Sequence, residues 1–249
     1  MNTTVIVREC GEQTADACYE ALRAAFDHVH RVSDRPFSKT LRRSLELGLE
    51  EARDFTLCID ADVAPDVRQL RNLISEFEEL PKHVFEIQGL VFDRFFQMER
   101  PAGNHLYRTS LIPKAIHLIP TENEALRPES AMLSAFAKRG RPWLQSRLVV
   151  GTHDFGQSDE DISRKASLHA RKHQRFLDYL KALWIKLADE ADFEVALDVL
   201  DGMEVDLPDS LEERQAEVLD ELEHQMFRSR GAYVRKILSS SVFEPFFKS

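Results

Sequence analysis

Cysteine is scarce in this chain. Its three cysteines, Cys10, Cys18 and Cys58, are scattered, and Cys58 falls inside an apolar, strand-like run. That number and spacing give no disulfide framework. A reduced, cytoplasmic setting is therefore expected. Long apolar runs are missing as well: no segment approaches the roughly 20 apolar residues that a membrane span needs. The opening Met1-Asn-Thr-Thr-Val-Ile-Val-Arg8 is too short and too polar in its flanks for a signal peptide. Positive charge is in deficit, with 33 Lys and Arg against 43 Asp and Glu, a formal net charge of −10. General nucleic-acid binding rests on phosphate neutralisation and is not expected. No internal repeat or low-complexity tract is present. The hydrophobic content of 43% over 249 residues is ample for one large or two small domains.

What is present reads as a β-α-β-α-β opening. Residues 3–7 suit a strand, and 14–27 an amphipathic helix with Ala15, Cys18, Ala21, Leu22 and Ala25 on one side. Residues 28–32 suit a short strand, 38–53 a helix, and 55–59 a buried strand. This alternation predicts a parallel sheet with helices on its faces. A helix follows over 67–80, closed by Pro81. The periodicity then changes. Residues 83–92, 105–110 and 115–119 read as extended, 129–138 as a helix ended by Gly140, and 143–150 as a strand. Beyond residue 156 the character is helical, with a second, acidic helix over 211–230. Residues 202–208 suit a linker. The expected division is an α/β domain over 1–156 and a helical extension over 157–249.

The run Phe55-Thr-Leu-Cys-Ile-Asp60-Ala-Asp62 ends a buried-type strand in two carboxylates. Ligands of open α/β sheets bind beyond the carboxyl ends of strands. As the strand breaks into a turn, both carboxylates can swing towards one ion. Hard oxygen ligands suit Mg²⁺ or Mn²⁺, above all when substrate phosphates complete the shell. A bare Asp-x-Asp also fits a solvated loop or a helix cap. The second acidic pair, Asp159-Glu-Asp161, reads best as acids at a helix N-terminus.

The order of these features resembles the nucleotide-sugar glycosyltransferases of the GT-A fold, a Rossmann-like mixed sheet, in particular the inverting family-2 type. The resemblance covers residues 3–155. It implies a metal-dependent enzyme, of hexosyltransferase type, moving one sugar from a nucleoside-diphosphate sugar to an acceptor hydroxyl. Asp60-Ala-Asp62 matches the metal-binding DXD motif, with Asp62 the direct ligand and Asp60 also a donor contact. Glu129, at the start of a helix, matches the acidic general base. His153 matches a third contact to the ion. Arg8, Lys39, Arg42 and Arg43 stand where nucleotide or diphosphate contacts are expected. The chain departs from the family in having Glu129-Ser130 for the common Glu-Asp. It also has Ser33-Asp34 for the usual Asp-Gly-Ser. The Gln-x-x-Arg-Trp motif of processive synthases is absent, which favours single-sugar transfer over polymer synthesis.

The resemblance further implies a glycan or lipid-linked acceptor in surface-glycan (polysaccharide) biosynthesis, with peripheral membrane association or oligomerisation through the C-terminal helices compatible with it. A sugar nucleotidyltransferase is one alternative. It would carry a Gly-rich loop and a Lys after the first strand to hold a triphosphate, where this chain has Arg8-Glu-Cys-Gly-Glu-Gln-Thr14. A non-catalytic module that retains the fold is the other. Arg164, Lys165, Arg171, Lys172 and Arg175 form a basic stripe on the first C-terminal helix. It reads either as a solvated cationic face or as a face turned to the active-site mouth.

Overall fold

A computed structural model describes residues 2–222 apart from 123 and 126. The chain divides into two compact units, Met1–Pro208 and from Asp209 onward. The first unit holds every named element. Its strands are β1 (Thr3–Arg8), β2 (Val29–Val32), β3 (Phe55–Asp60), β4 (Val63–Pro65), β5 (Glu86–Asp93), β6 (Met98–Pro101), β7 (Asn104–Arg108) and β8 (Trp143–His153). Its helices are α1 (Ala15–Arg23), α2 (Phe37–Glu51), α3 (Val67–Glu79), α4 (Ile112–Ala115), α5 (Pro128–Ala137), α6 (Asp159–Lys172), α7 (Leu177–Lys186) and α8 (Ala191–Asp198). Helix α6, expected in a separate extension, lies in this first unit. In the second unit, residues 211–222 are helical, and the rest of the helix expected over 211–230 lies outside the described residues.

The strands form one mixed sheet in the order β2-β1-β3-β7-β5-β8-β4, with β6 paired to β5. Strands β1, β2 and β3 run parallel. β7 is antiparallel to both β3 and β5, and β8 is parallel to β5. Five strands, β1, β2, β3, β5 and β8, therefore point the same way and share one carboxyl edge.

Side-chain alternation feeds two cores. On one face Val5, Val7, Leu57 and Ile59 meet Cys18 and Leu22 of α1 and Leu70, Leu73, Ile74 and Phe77 of α3. On the other Ile6 and Cys58 meet Leu41 and Leu45 of α2 and Met132, Leu133 and Phe136 of α5. Each fully buried aliphatic side chain here is worth about 1.5–3 kcal/mol. With both faces covered, β1 and β3 carry no polar alternation.

The expected extended piece at 115–119 is instead part of α4 and a following 3-10 turn. Ile112, Ala115, Ile116 and Ile119 are all buried. Their i, i+3, i+4, i+7 spacing is a helical stripe, which the β-branched composition obscured. Strand β8 runs on to His153, beyond the expected end at 150. Gly151 makes this possible: a Cβ there would stand 2.5 Å from the Ala64 carbonyl oxygen of the paired strand β4.

Candidate functional site

Four strands end on a charged or titratable side chain at the shared carboxyl edge. Arg8 closes β1, Asp60 closes β3, Asp93 closes β5 and His153 closes β8. The antiparallel strand β7 begins at that edge with Asn104 and His105. The sheet topology thus collects residues far apart in sequence into one strip, where ligands of α/β sheets bind.

Arg8 organises one half of the strip. Its Nε donates to Asp60 Oδ1 at 2.8 Å, and its Nη1 donates to Glu129 Oε1 at 2.7 Å. Glu129 opens α5 and also accepts from the Tyr107 hydroxyl. His105 spans two carboxylates, with Nε2 2.9 Å from Glu129 and Nδ1 2.9 Å from Glu86. Burial opposes charge on His105, but Glu129 and Glu86 prevail and push it up to about 9. Burial likewise opposes charge on Glu129, and Arg8 with His105 holds its carboxyl well below the usual range.

The other half centres on Asp62, just past the end of β3. His153 Nε2 lies 3.5 Å from Asp62 Oδ1. His153 Nδ1 lies 3.2 Å from Asp93 Oδ2 and 2.8 Å from Asp154 Oδ2. Lys165 of α6 donates to Asp62 Oδ2 at 2.7 Å and to Asp154 Oδ1. Burial works against charge on Asp62, yet His153 and Lys165 keep it ionised, down to about 2. Asp93 is fully buried and steadies the rear. It accepts from the Phe96 amide at 3.0 Å and from Arg100 Nε at 2.7 Å. Asp154 takes a left-handed backbone, φ 62°, which Asp adopts more readily than most residues with a Cβ.

Gly103 lets the two halves approach. It has φ +61°, and a Cβ there would stand 2.5 Å from Val63 Cγ2 and 3.2 Å from His153 Cδ2. Its carbonyl accepts from the Asp60 amide at 2.8 Å.

Asp60 and Asp62, expected to turn to one ion, diverge: Asp60 binds Arg8, and Asp62 meets His153 and Lys165. Asp62, His153 and Asp154 bring one donor atom each within 4.8 Å of one another, a set that can hold a metal ion. The chemistry of two carboxylate oxygens and an imidazole fits a small divalent cation. Asp62 Oδ1 and Asp154 Oδ2 are also buried without an aligned hydrogen bond. Arg43 pairs with Glu50 at 2.7 Å on the exposed side of α2. Lys39 on the same helix is exposed and Arg42 half-buried. Arg8 is spent inside the fold on two carboxylates. The loop after β1 turns one of its own amides inward, Cys10 N donating to Glu12 Oε2 at 2.6 Å.

Several site residues went unread in the sequence: Glu86, Asp93, Arg100, His105, Tyr107 and Asp154. Lys165 was counted only in a basic stripe. A signal for it existed. Ile162, Lys165, Ala166 and His169 share one stripe of α6, and all four are buried. Of the other basic residues, Arg164 pairs with Asp161 and Arg171 is exposed.

No protein-family model and no curated protein matches the chain. Among solved structures, it is similar to a glycosyltransferase involved in glycosylation of the major capsid of PBCV-1. The identity is 11%, over 65% of this chain and 96% of that one, with a TM-score of 0.46. It is also similar to a mannosyltransferase from Pyrobaculum calidifontis in complex with GDP-Man and Mn²⁺. That identity is 15%, over 92% of this chain and 84% of the other, with a TM-score of 0.43. A third likeness is to a CMP:2-keto-3-deoxy-manno-octonic acid synthetase complexed with CTP, at 8% identity over 69% and 100% of the two chains, TM-score 0.43. The chain is an α/β protein with a mixed sheet flanked by helices, and the likeness concerns that layout. Among the described residues no helix is long and apolar enough to cross a membrane.

Proposed function

We propose that the chain is a glycosyltransferase that moves a single sugar, of hexose type, from a nucleoside-diphosphate sugar to an acceptor hydroxyl. One observation carries the reading. Asp62, His153 and Asp154 converge at the carboxyl edge of the sheet, the edge at which ligands of α/β sheets bind. Mn²⁺ or Mg²⁺ held by these three residues would neutralise the charge developing on the leaving diphosphate. Asp93 and Arg100 orient His153 from behind. The acidic loop after β1 offers no cradle for a triphosphate, which disfavours nucleotidyl transfer.

The residue roles follow from charge. Arg8 and Arg43 are engaged with carboxylates of the fold, so Lys39 and Arg42 remain the proposed nucleotide contacts. Asp60 anchors Arg8 and is not assigned to the ion. The expectation that Glu129 takes the acceptor proton is revised. A carboxylate ringed by Arg8, His105 and Tyr107 and held far below its usual range is a weak base at neutral pH. Glu129 instead positions Arg8 and His105. The proposed setting is cytoplasmic assembly of surface glycans on a glycan or lipid-linked acceptor.

The test is a thermal-shift panel of nucleoside diphosphates and nucleotide sugars with and without Mn²⁺. A ligand at 100 times its Kd stabilises by about 2.7 kcal/mol. For a unit of this size that raises Tm by about 5–11 °C. The rise should require Mn²⁺ and disappear in Asp62→Asn. A flat response across the panel refutes the reading.

A further inference from the structure

Helix α6 delivers a cation of the chain's own into the candidate metal cluster. Ser158 caps the helix, its Oγ accepting from the Asp161 amide at 3.1 Å. Ile162, Ala166 and Ala170 seat the inner face, all buried. That seating carries Lys165 inward, with 8% of its side chain exposed. Its ammonium then bridges Asp62 and Asp154, two of the three residues of the cluster.

We propose that Lys165 is an internal occupant of the cation position. Its ammonium and a divalent ion compete for Asp62 and Asp154, so that ion binding drives Lys165 out of the cluster. The inference rests on reading Asp62, His153 and Asp154 as the cation site. The geometry leaves little choice once that is granted. An ammonium on Oδ2 of Asp62 and Oδ1 of Asp154 stands against the same carboxylates that must close on the ion. A second positive charge at such range is repelled strongly in a site screened from water. The carboxylates are also buried and depend on a counter-charge. Lys165 supplies one when no ion is present, and the ion supplies a larger one when it is. The displaced side chain sits on α6 at the carboxyl edge, where its freed charge meets an incoming diphosphate. Lys165 thereby links cation binding to donor binding through one flexible side chain.

Competition sets the magnitude. The apparent Kd for the ion is its intrinsic value divided by the fraction of sites that are free. If Lys165 fills about nine-tenths of the sites, removing it tightens ion binding about tenfold by the same relation.

The experiment measures Mn²⁺ binding by electron paramagnetic resonance for wild type and Lys165→Met. In parallel, amine acylation of wild-type Lys165 is followed by peptide mass mapping as Mn²⁺ is added. Lys165→Met should bind Mn²⁺ about tenfold more tightly. Lys165 of the wild type, shielded without the ion, should become acylated as Mn²⁺ fills the site. If Lys165→Met fails to fold, the wild-type acylation response alone decides. Equal Mn²⁺ affinities, weaker binding by the variant, or acylation that ignores Mn²⁺ each overturn the competition and leave the cation site standing. Mn²⁺ binding by neither protein overturns both.

Discussion

Replacing Arg8 by Met separates a structural arginine from a ligand-binding one. Arg8 is 3% exposed and is ion-paired to Asp60 and Glu129. Met keeps most of the packing beside the Phe37 ring, which the guanidinium overlies at 5.2 Å. Removing one partner of a buried ion pair costs about 3–5 kcal/mol, because the survivor is left charged and unpaired. Two features pull the value down here. The Asp60 side chain is 31% exposed and can rehydrate, and Glu129 keeps His105 and Tyr107. The lower end, about 3 kcal/mol, is therefore expected, which for a unit of this size lowers Tm by about 6–12 °C. Adding Glu129→Gln to Arg8→Met removes the stranded charge, so the double variant should lose less than the sum of the singles, by about 1–3 kcal/mol. Scanning calorimetry on the four proteins reads both numbers. A Tm for Arg8→Met within about 2 °C of wild type, the equivalent of less than about 1 kcal/mol, refutes the argument. So does strict additivity in the cycle. An unchanged Tm with nucleotide affinity lost would restore Arg8 as a ligand contact.

Three further outcomes are expected. Glu129→Gln alone should lower stability by about 1–3 kcal/mol, since Arg8 and His105 lose a charged acceptor, with transfer falling in step with folded protein. A general base would instead keep Tm and lose about 10²–10⁴-fold in rate. Gly103→Ala should cost about 2–4 kcal/mol by urea denaturation, combining a left-handed backbone with a clash at Val63, and a loss under 1 kcal/mol would contradict it. His105 is raised to about 9 by Glu129 and Glu86 against burial, above its ordinary value of about 6.5. Its contribution, on the order of 3 kcal/mol, is full below about pH 6.5 and lost as pH rises through about 9. The urea midpoint should fall between pH 7 and 9.5, less so in His105→Gln, and a constant midpoint disproves the linkage.

The sequence carried the parallel opening and the strand that ends in Asp60-Ala-Asp62, because both depend on local pattern. It also pointed to His153, three residues past a visible strand. What it hid depends on which strands become neighbours. Asp93 lies one residue beyond a strand-like run and gains meaning only when β5 and β8 pair in parallel. His105 and Tyr107 belong to β7, whose antiparallel insertion between β3 and β5 no local periodicity announces. Lys165 was grouped by charge with its exposed neighbours, although its position on the α6 stripe matched Ile162 and His169. The divergence of Asp60 from Asp62 was likewise set by Arg8, a partner 52 residues away.

The Arg8–Glu129 bridge joins residues 121 apart in the chain. Its two ends come from β1 and from a helix made more than a hundred residues later. Contacts of such sequence separation form slowly, because the entropy of closing the loop is lost before the contact rewards it. A nascent chain that has completed β1 and β3 therefore holds Arg8 against Asp60 alone. The second carboxylate arrives only with α5, and until then the Arg8 guanidinium lacks its Glu129 partner.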